Sequence, residues 1–211
     1  MKTVMITGAG RGLGKCLADT FGQHGYNLVL HCGREDGDLK DYSTILKLAE
    51  LAEIKSLDLL INNAGVYVNK PLLDTSCNEF REVIETNLLA SIFLTRAIWP
   101  VFQEKKSGTV IFINSVAGKC GSSGELAYCA SKFGLKGFAD SLQFDGIRDN
   151  VRVISVFLGA MKTDMTKNKR EDSNCNIDPY EVALIILDLC KNYKGAKATE
   201  ITINKTGKRN D

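Results

Sequence analysis

Apolar positions along this chain follow two alternating rhythms. Dense runs such as "LDLLI", "TVIFI" and "VRVISVF" are too continuous for a one-sided strand and suit strands buried on both faces. Between them, apolar residues recur every three or four positions, as Leu13, Leu17, Ala18 and Phe21 do, which is one face of a helix. The pattern predicts strands at about 3–7, 27–31, 57–61, 109–113, 151–157 and 198–203, and helices at about 12–23, 42–55, 77–103, 126–148 and 179–191. Strands alternating with helices imply a parallel sheet covered on both faces, an α/β doubly wound fold with about six main strands. Pro100, near the end of the third predicted helix, is expected to kink or end it. The closing stretch "NKTGKRND" is polar and expected to fray. With no internal repeat or linker, residues 1–211 read as a single domain.

The chemistry is concentrated in two stretches. The opening "KTVMITGAGRGLGKCLADTF" places Gly8, Gly10, Gly12 and Gly14 between a predicted strand and a helix. Glycines there let the backbone approach a pyrophosphate, with the helix N-terminus facing its charge. In "FINSVAGKCGSSGELAYCASKFGLKGF", Tyr128 and Lys132 are four apart and share a helix face. A nearby ammonium favours the phenolate, so this spacing points to a tyrosine tuned for acid–base work. Ser115 ends a predicted strand and is placed to hydrogen-bond a substrate oxygen.

Composition narrows the picture. The 211 residues are 44% apolar and 25% charged with a net charge of +2, which gives no reason to expect nucleic acid or an anionic membrane as partner. No apolar run reaches membrane-spanning length. Met1 and Lys2 lead directly into the first predicted strand, so no signal peptide is expected. The seven cysteines form no Cys-x-x-Cys pair, and free thiols in a reducing cytoplasm are the expectation. His24 and His31 lack the companions of a metal site, so no metal is expected.

Taken together, these residues resemble the short-chain dehydrogenase/reductase family over nearly the whole chain. Thr7 to Gly14, including Arg11 and Leu13, resembles its cofactor-binding turn, and Asn62, Asn63, Ala64 and Gly65 resemble its NNAG motif. Asn87 in "IETNL" matches the family's catalytic asparagine, and Ser115, Tyr128 and Lys132 match its serine, tyrosine and lysine, including the 13-residue step from serine to tyrosine. Gly159 and Thr163 match the residues near the nicotinamide, although Leu158 stands where the family usually has proline. The resemblance implies a Rossmann-type NAD(P)-binding catalytic domain and a hydride exchanged between nicotinamide and a small-molecule carbonyl or alcohol. It implies that Tyr128 is the acid, that Ser115 holds the oxygen, and that Lys132 lowers the tyrosine pKa and binds ribose. Asn87 would hold a relay water. A homodimer or homotetramer through the two long helices is the implied assembly.

The cofactor is read from the end of the second strand. An acid there would favour NAD; the position reads as Cys32, with Arg34 following and Arg11 in the glycine turn. Guanidinium groups suit a 2′-phosphate, so NADP is expected, with NAD possible because Asp36 and Asp38 lie close by. Asp38 and Leu39 resemble the family's adenine-flanking pair. The stretch between Arg34 and Asn62 is much shorter than the family's, and the residues from Arg34 to Asp38 cannot supply a parallel crossover, so no regular third strand is expected there. The polar run around 167–179 reads as a lid. The competing function is a non-catalytic nucleotide-binding or redox-sensing protein, which the shortened segment would favour and the full catalytic set would leave unexplained.

Overall fold

A computed structural model describes residues 1–161, 177–191 and 198–205. Six strands form one parallel sheet: β1 (Thr3–Thr7), β2 (Asn27–His31), β3 (Leu59–Asn62), β4 (Gly108–Ser115), β5 (Val151–Leu158) and β6 (Glu200–Ile203). Their spatial order is β2-β1-β3-β4-β5-β6. The chain therefore starts in β1, adds β2 on one side, and crosses to β3 on the other. That reversal opens a crevice at the carboxyl ends of β1 and β3, the place where open α/β sheets take ligands.

Helices cover both faces: α1 (Gly12–Gln23), α2 (Tyr42–Ile54), α3 (Cys77–Ile84), α4 (Ala90–Lys105), α5 (Leu126–Asp149) and α6 (Pro179–Leu189). Successive strand residues point to opposite faces, and the core divides accordingly. Val4, Ile6, Ile111 and Ile154 pack under α1 (Leu17, Phe21) and α6 (Val182, Ile186). Met5, Leu60, Val110 and Phe112 pack under α2 (Ile45), α4 (Leu94, Phe102) and α5 (Leu135). Strands buried from both sides are what the continuous apolar runs required.

The shortened segment behaves as its length demands. After β2 the chain makes one 3₁₀ turn at Arg34–Asp36 and passes into α2, with no strand between β2 and β3. Strand β2 is thus a sheet edge, and Leu28 and Leu30 are 38% and 37% exposed. Two local expectations need correction. The helix predicted over 77–103 is broken by a π-helical turn at Glu85–Leu89, and Pro100 neither starts nor ends an element but lies within α4, which runs on to Lys105. Pro100 is on the exposed side, where the carbonyl freed by its missing N–H meets water. Thr163, most of the 167–179 lid and the last part of the polar tail lie outside the described residues. Among the described residues, no helix is long and apolar enough to cross a membrane.

Candidate active site

The turn after β1 is built for close backbone approach. Gly8 and Gly12 have φ of +66° and +53°, the left-handed region that glycine adopts without strain. A Cβ on Gly14 would lie 2.0 Å from the Gly8 carbonyl oxygen, and one on Gly10 would lie 2.6 Å from that of Cys32. Helix α1 begins here without a side-chain cap on its N-terminal N–H groups and with no acid in its first turn. Those N–H groups need an acceptor, and their dipole favours an anion. The turn is held to β3 by Thr7, whose Oγ1 accepts from the Asn63 and Ala64 amides at 3.0 and 3.1 Å. Asn63 Nδ2 returns hydrogen bonds to the Thr7 and Gly8 carbonyls at 2.9 and 3.1 Å.

A cleft of about 960 Å³ runs from this turn across the carboxyl ends of the strands. At its far end Ser115, Tyr128 and Lys132 converge, as the sequence spacing required. Ser115 closes β4, and its hydroxyl accepts from the Ala117 amide at 3.1 Å while hydrogen-bonding Tyr128. Lys132 is buried, its Nζ donating to the Ile113 carbonyl at 2.9 Å and lying 5.7 Å from the Tyr128 ring centroid. Burial pushes the Lys132 pKa down to about 8, because a desolvated ammonium is disfavoured. Burial likewise pushes the Tyr128 phenol up to about 12, and the Ser115 hydrogen bond only partly opposes it. Desolvation therefore sets the direction of the Tyr128 shift, upward where the sequence led to the expectation of a lowered phenol.

Asn87 is buried in the π-helical turn, a distortion that often marks functional positions. Its Oδ1 accepts from the Val66 amide at 2.8 Å, and its Nδ2 donates to the Val66 carbonyl at 2.9 Å and to Ser131 Oγ at 3.2 Å. The amide thus ties the segment after Gly65 to α5. Gly159 sits after β5, its amide donating to the Ile203 carbonyl at 2.9 Å. Sequence reasoning overlooked Asn114, whose Oδ1 accepts from the Ser115 amide at 2.8 Å and whose Nδ2 donates to the Lys132 carbonyl at 3.2 Å. A polar residue inside the apolar run "TVIFIN" was the available signal. It also overlooked Tyr67, which stacks edge-on against Tyr128 at 5.0 Å and donates to Glu125 at 2.8 Å.

The opposite end of the cleft holds Arg11, Arg34, Asp38, Leu39 and Glu82. Arg34 does not stand free: it pairs with Glu82 of α3 and approaches Asp38 at 3.4 Å. Lys40, behind the cleft wall, pairs with the same Glu82 and lies 3.6 Å from Asp38. The end of β2 does receive an acid, since Asp36 accepts from the Cys32 amide at 2.6 Å. That acid is absent from the cleft lining, so it acts on the strand end. His31 is buried at the end of β2, its Nε2 2.7 Å from the Gly37 carbonyl, which makes Nε2 the donor and leaves Nδ1 without a partner among the described residues.

A family model described as "short chain dehydrogenase" matches residues 36–174. The chain is 34% identical to the 3-oxoacyl-(acyl-carrier-protein) reductase FabG of Buchnera aphidicola over 186 residues, 79% of this chain and 76% of that one. It is 31% identical to the FabG of Salmonella typhimurium, covering 83% and 80%. Its fold matches an alcohol dehydrogenase of Thermococcus sibiricus complexed with 5-hydroxy-NADP, with a TM-score of 0.86 at 22% identity over 100% and 99% of the two chains. It also matches a 4-hydroxyisoleucine dehydrogenase complexed with NADH, with a TM-score of 0.87 at 23% identity and 97% coverage of both.

Proposed function

This chain belongs to the short-chain dehydrogenase/reductase family, and from that premise we propose that it interconverts a small carbonyl compound and its alcohol with NADP(H), using Tyr128 as the acid. It is an NAD(P)(H)-dependent oxidoreductase. The observation that carries the finer reading is one continuous cleft with the glycine turn at one end and Ser115, Tyr128 and Lys132 at the other. The residues fit a dinucleotide: the turn has no room for a Cβ at Gly10 or Gly14, and the uncapped N-terminus of α1 seeks an anion. Gly8, Gly10, Gly12, Leu13 and Gly14 would hold its pyrophosphate, Asn63, Ala64 and Gly65 would flank it, and Asp38 and Leu39 would line the adenine end. Tyr128, Lys132 and Gly159 would line the nicotinamide end. When bound, the nicotinamide supplies or accepts the hydride.

The protein's own work is positioning and proton transfer. With its pKa pushed up to about 12, the Tyr128 phenol is protonated at neutral pH, the form that donates to a carbonyl oxygen. Ser115 shares a hydrogen bond with that phenol, and its hydroxyl also serves the substrate oxygen. As the proton leaves Tyr128, Lys132 beside its ring offsets the growing phenolate charge. Asn87 keeps the Val66 backbone and α5 in register beneath the cleft. Arg11, which makes no ion pair among the described residues, and Arg34 support the preference for NADP(H). The apolar Phe133, Phe144 and Ile147 exposed on α5 support a homo-oligomer built on the long helices. Free thiols among the described cysteines suit a cytoplasmic setting.

The test is turnover of NADPH and NADP across a panel of ketones, aldehydes and alcohols, with Tyr128→Phe in parallel. Wild type is expected to turn over at least one pair, and Tyr128→Phe to lose nearly all of that rate with dinucleotide affinity close to unchanged. Binding without turnover of any substrate would favour the sensing role instead, and full activity in Tyr128→Phe would mean that another group is the acid.

A further inference from the structure

The adenosine end of the cleft is walled by a charge cluster where the family's longer segment is missing. Glu82, carried on α3, lines the cleft and is ion-paired to both Arg34 and Lys40. Asp38 reaches the same two cations at 3.4 and 3.6 Å. The two carboxylates and two cations of this cluster sum to zero, so of the cations at this end only Arg11, outside the cluster, offers an anion a charge that no carboxylate offsets among the described residues. Arg34 lines the cleft with Nη2 on Glu82 and Nε 3.4 Å from Asp38, while Lys40 is outside the cleft lining and offsets the carboxylates from there.

We infer that Glu82 is a specificity-determining residue, the internal competitor of a dinucleotide 2′-phosphate for Arg34, and that Lys40 sets how strongly it competes. The inference rests on the dinucleotide reading above. A phosphate that recruits Arg34 must share its charge with Glu82, and meets a second negative charge in the same wall. An unphosphorylated ribose brings no charge to repel, and its hydroxyls donate to carboxylates. Glu82 therefore biases the site against the 2′-phosphate and narrows the advantage that Arg11 and Arg34 would otherwise give NADPH. It does from α3 what an acid at the end of β2 would do, which is why reading the end of β2 alone misses it.

The experiment is calorimetric titration of NADPH and NADH into the substrate-free protein, with adenosine 2′,5′-bisphosphate and AMP as probes of the adenosine end alone. Glu82→Gln keeps the side chain's shape and removes its charge. It is expected to shift the NADPH-to-NADH affinity ratio about tenfold toward NADPH, the scale of one charge-assisted hydrogen bond. Lys40→Met leaves Glu82 charged with one cation fewer, and is expected to shift the ratio the opposite way, which tests the idea even if Glu82→Gln folds poorly. The bisphosphate-to-AMP ratio is expected to follow both changes. Equal losses for both dinucleotides would mean that the cluster only holds the wall together, and an unchanged ratio in both variants would overturn the inference. A wild type that prefers NADH removes the proposed NADP(H) preference but leaves this inference to the ratio shifts, whereas binding of neither dinucleotide sinks the proposed function itself.

Discussion

Lys132 shows at a single residue how function is set against stability. Its ammonium is buried, donates to the Ile113 carbonyl, and has no carboxylate partner among the described residues. Burial lowers its pKa from 10.5 to about 8, so between those values the folded chain binds fewer protons than the unfolded chain. Stability therefore rises with pH through that window, and the full cost of burying the charge is present below about pH 8. Tyr128 acts in the other direction, since its phenol is raised from 10.0 to about 12 and stability falls as pH rises through that range. Lys132→Met is expected to be more stable than wild type at pH 7 by about 1–3 kcal/mol, after allowing for the orphaned Ile113 carbonyl. Urea denaturation at pH 7 and pH 10 measures it: the gain should shrink toward pH 10, and a gain independent of pH would mean that charge burial is not its source.

Among the elements, α1 and α5 each contain glycines that helix propensity alone would replace. Alanine is favoured over glycine in a helix by roughly 1 kcal/mol. At Gly14 the tertiary structure reverses that preference, because the added Cβ would lie 2.0 Å from a backbone oxygen of the turn that α1 follows. Gly14→Ala is expected to cost about 2–4 kcal/mol in chemical denaturation and to abolish dinucleotide binding, since relieving the clash moves the turn. Gly137 in α5 is exposed and has nothing within 4 Å of its would-be Cβ. Gly137→Ala should follow propensity and stabilise the single chain by about 0.5–1 kcal/mol, a gain to be read in a Phe144→Asp background because Gly137 shares the Phe133 and Phe144 face of α5. Identical effects at the two positions would show that the contact at Gly14 does not matter. The π-helical turn carrying Asn87 belongs at this scale too. Nothing in "EVIETNLLASIF" departs from helical periodicity, so the interruption was not legible in sequence, whereas the apolar spacing of α1, α2 and α5 placed those helices to within a residue or two.

For the molecule as a whole, the exposed apolar residues on the long helices carry the expectation about assembly. Phe144 and Ile147 of α5 are 76% and 70% exposed, which a monomer in water gains nothing from. Light scattering is expected to give a multiple of the 23.1 kDa chain mass, and Phe144→Asp to shift it toward that mass with the fold retained. A wild type at 23.1 kDa would end the oligomer proposal. The sequence by itself determined the strand and helix rhythm, the absence of a third strand after Arg34, the glycine turn, and the set Ser115, Tyr128 and Lys132. Each of these depends on local spacing or on the length a connection needs, and both can be read along the chain. Only the tertiary structure decided that Glu82, 48 residues from Arg34, shares its charge. The same holds for Asn114 bracing Lys132, Asn87 spending its amide on Val66, and desolvation raising the Tyr128 phenol. Those outcomes depend on burial and on pairings between distant segments, which the sheet order creates and no periodicity records.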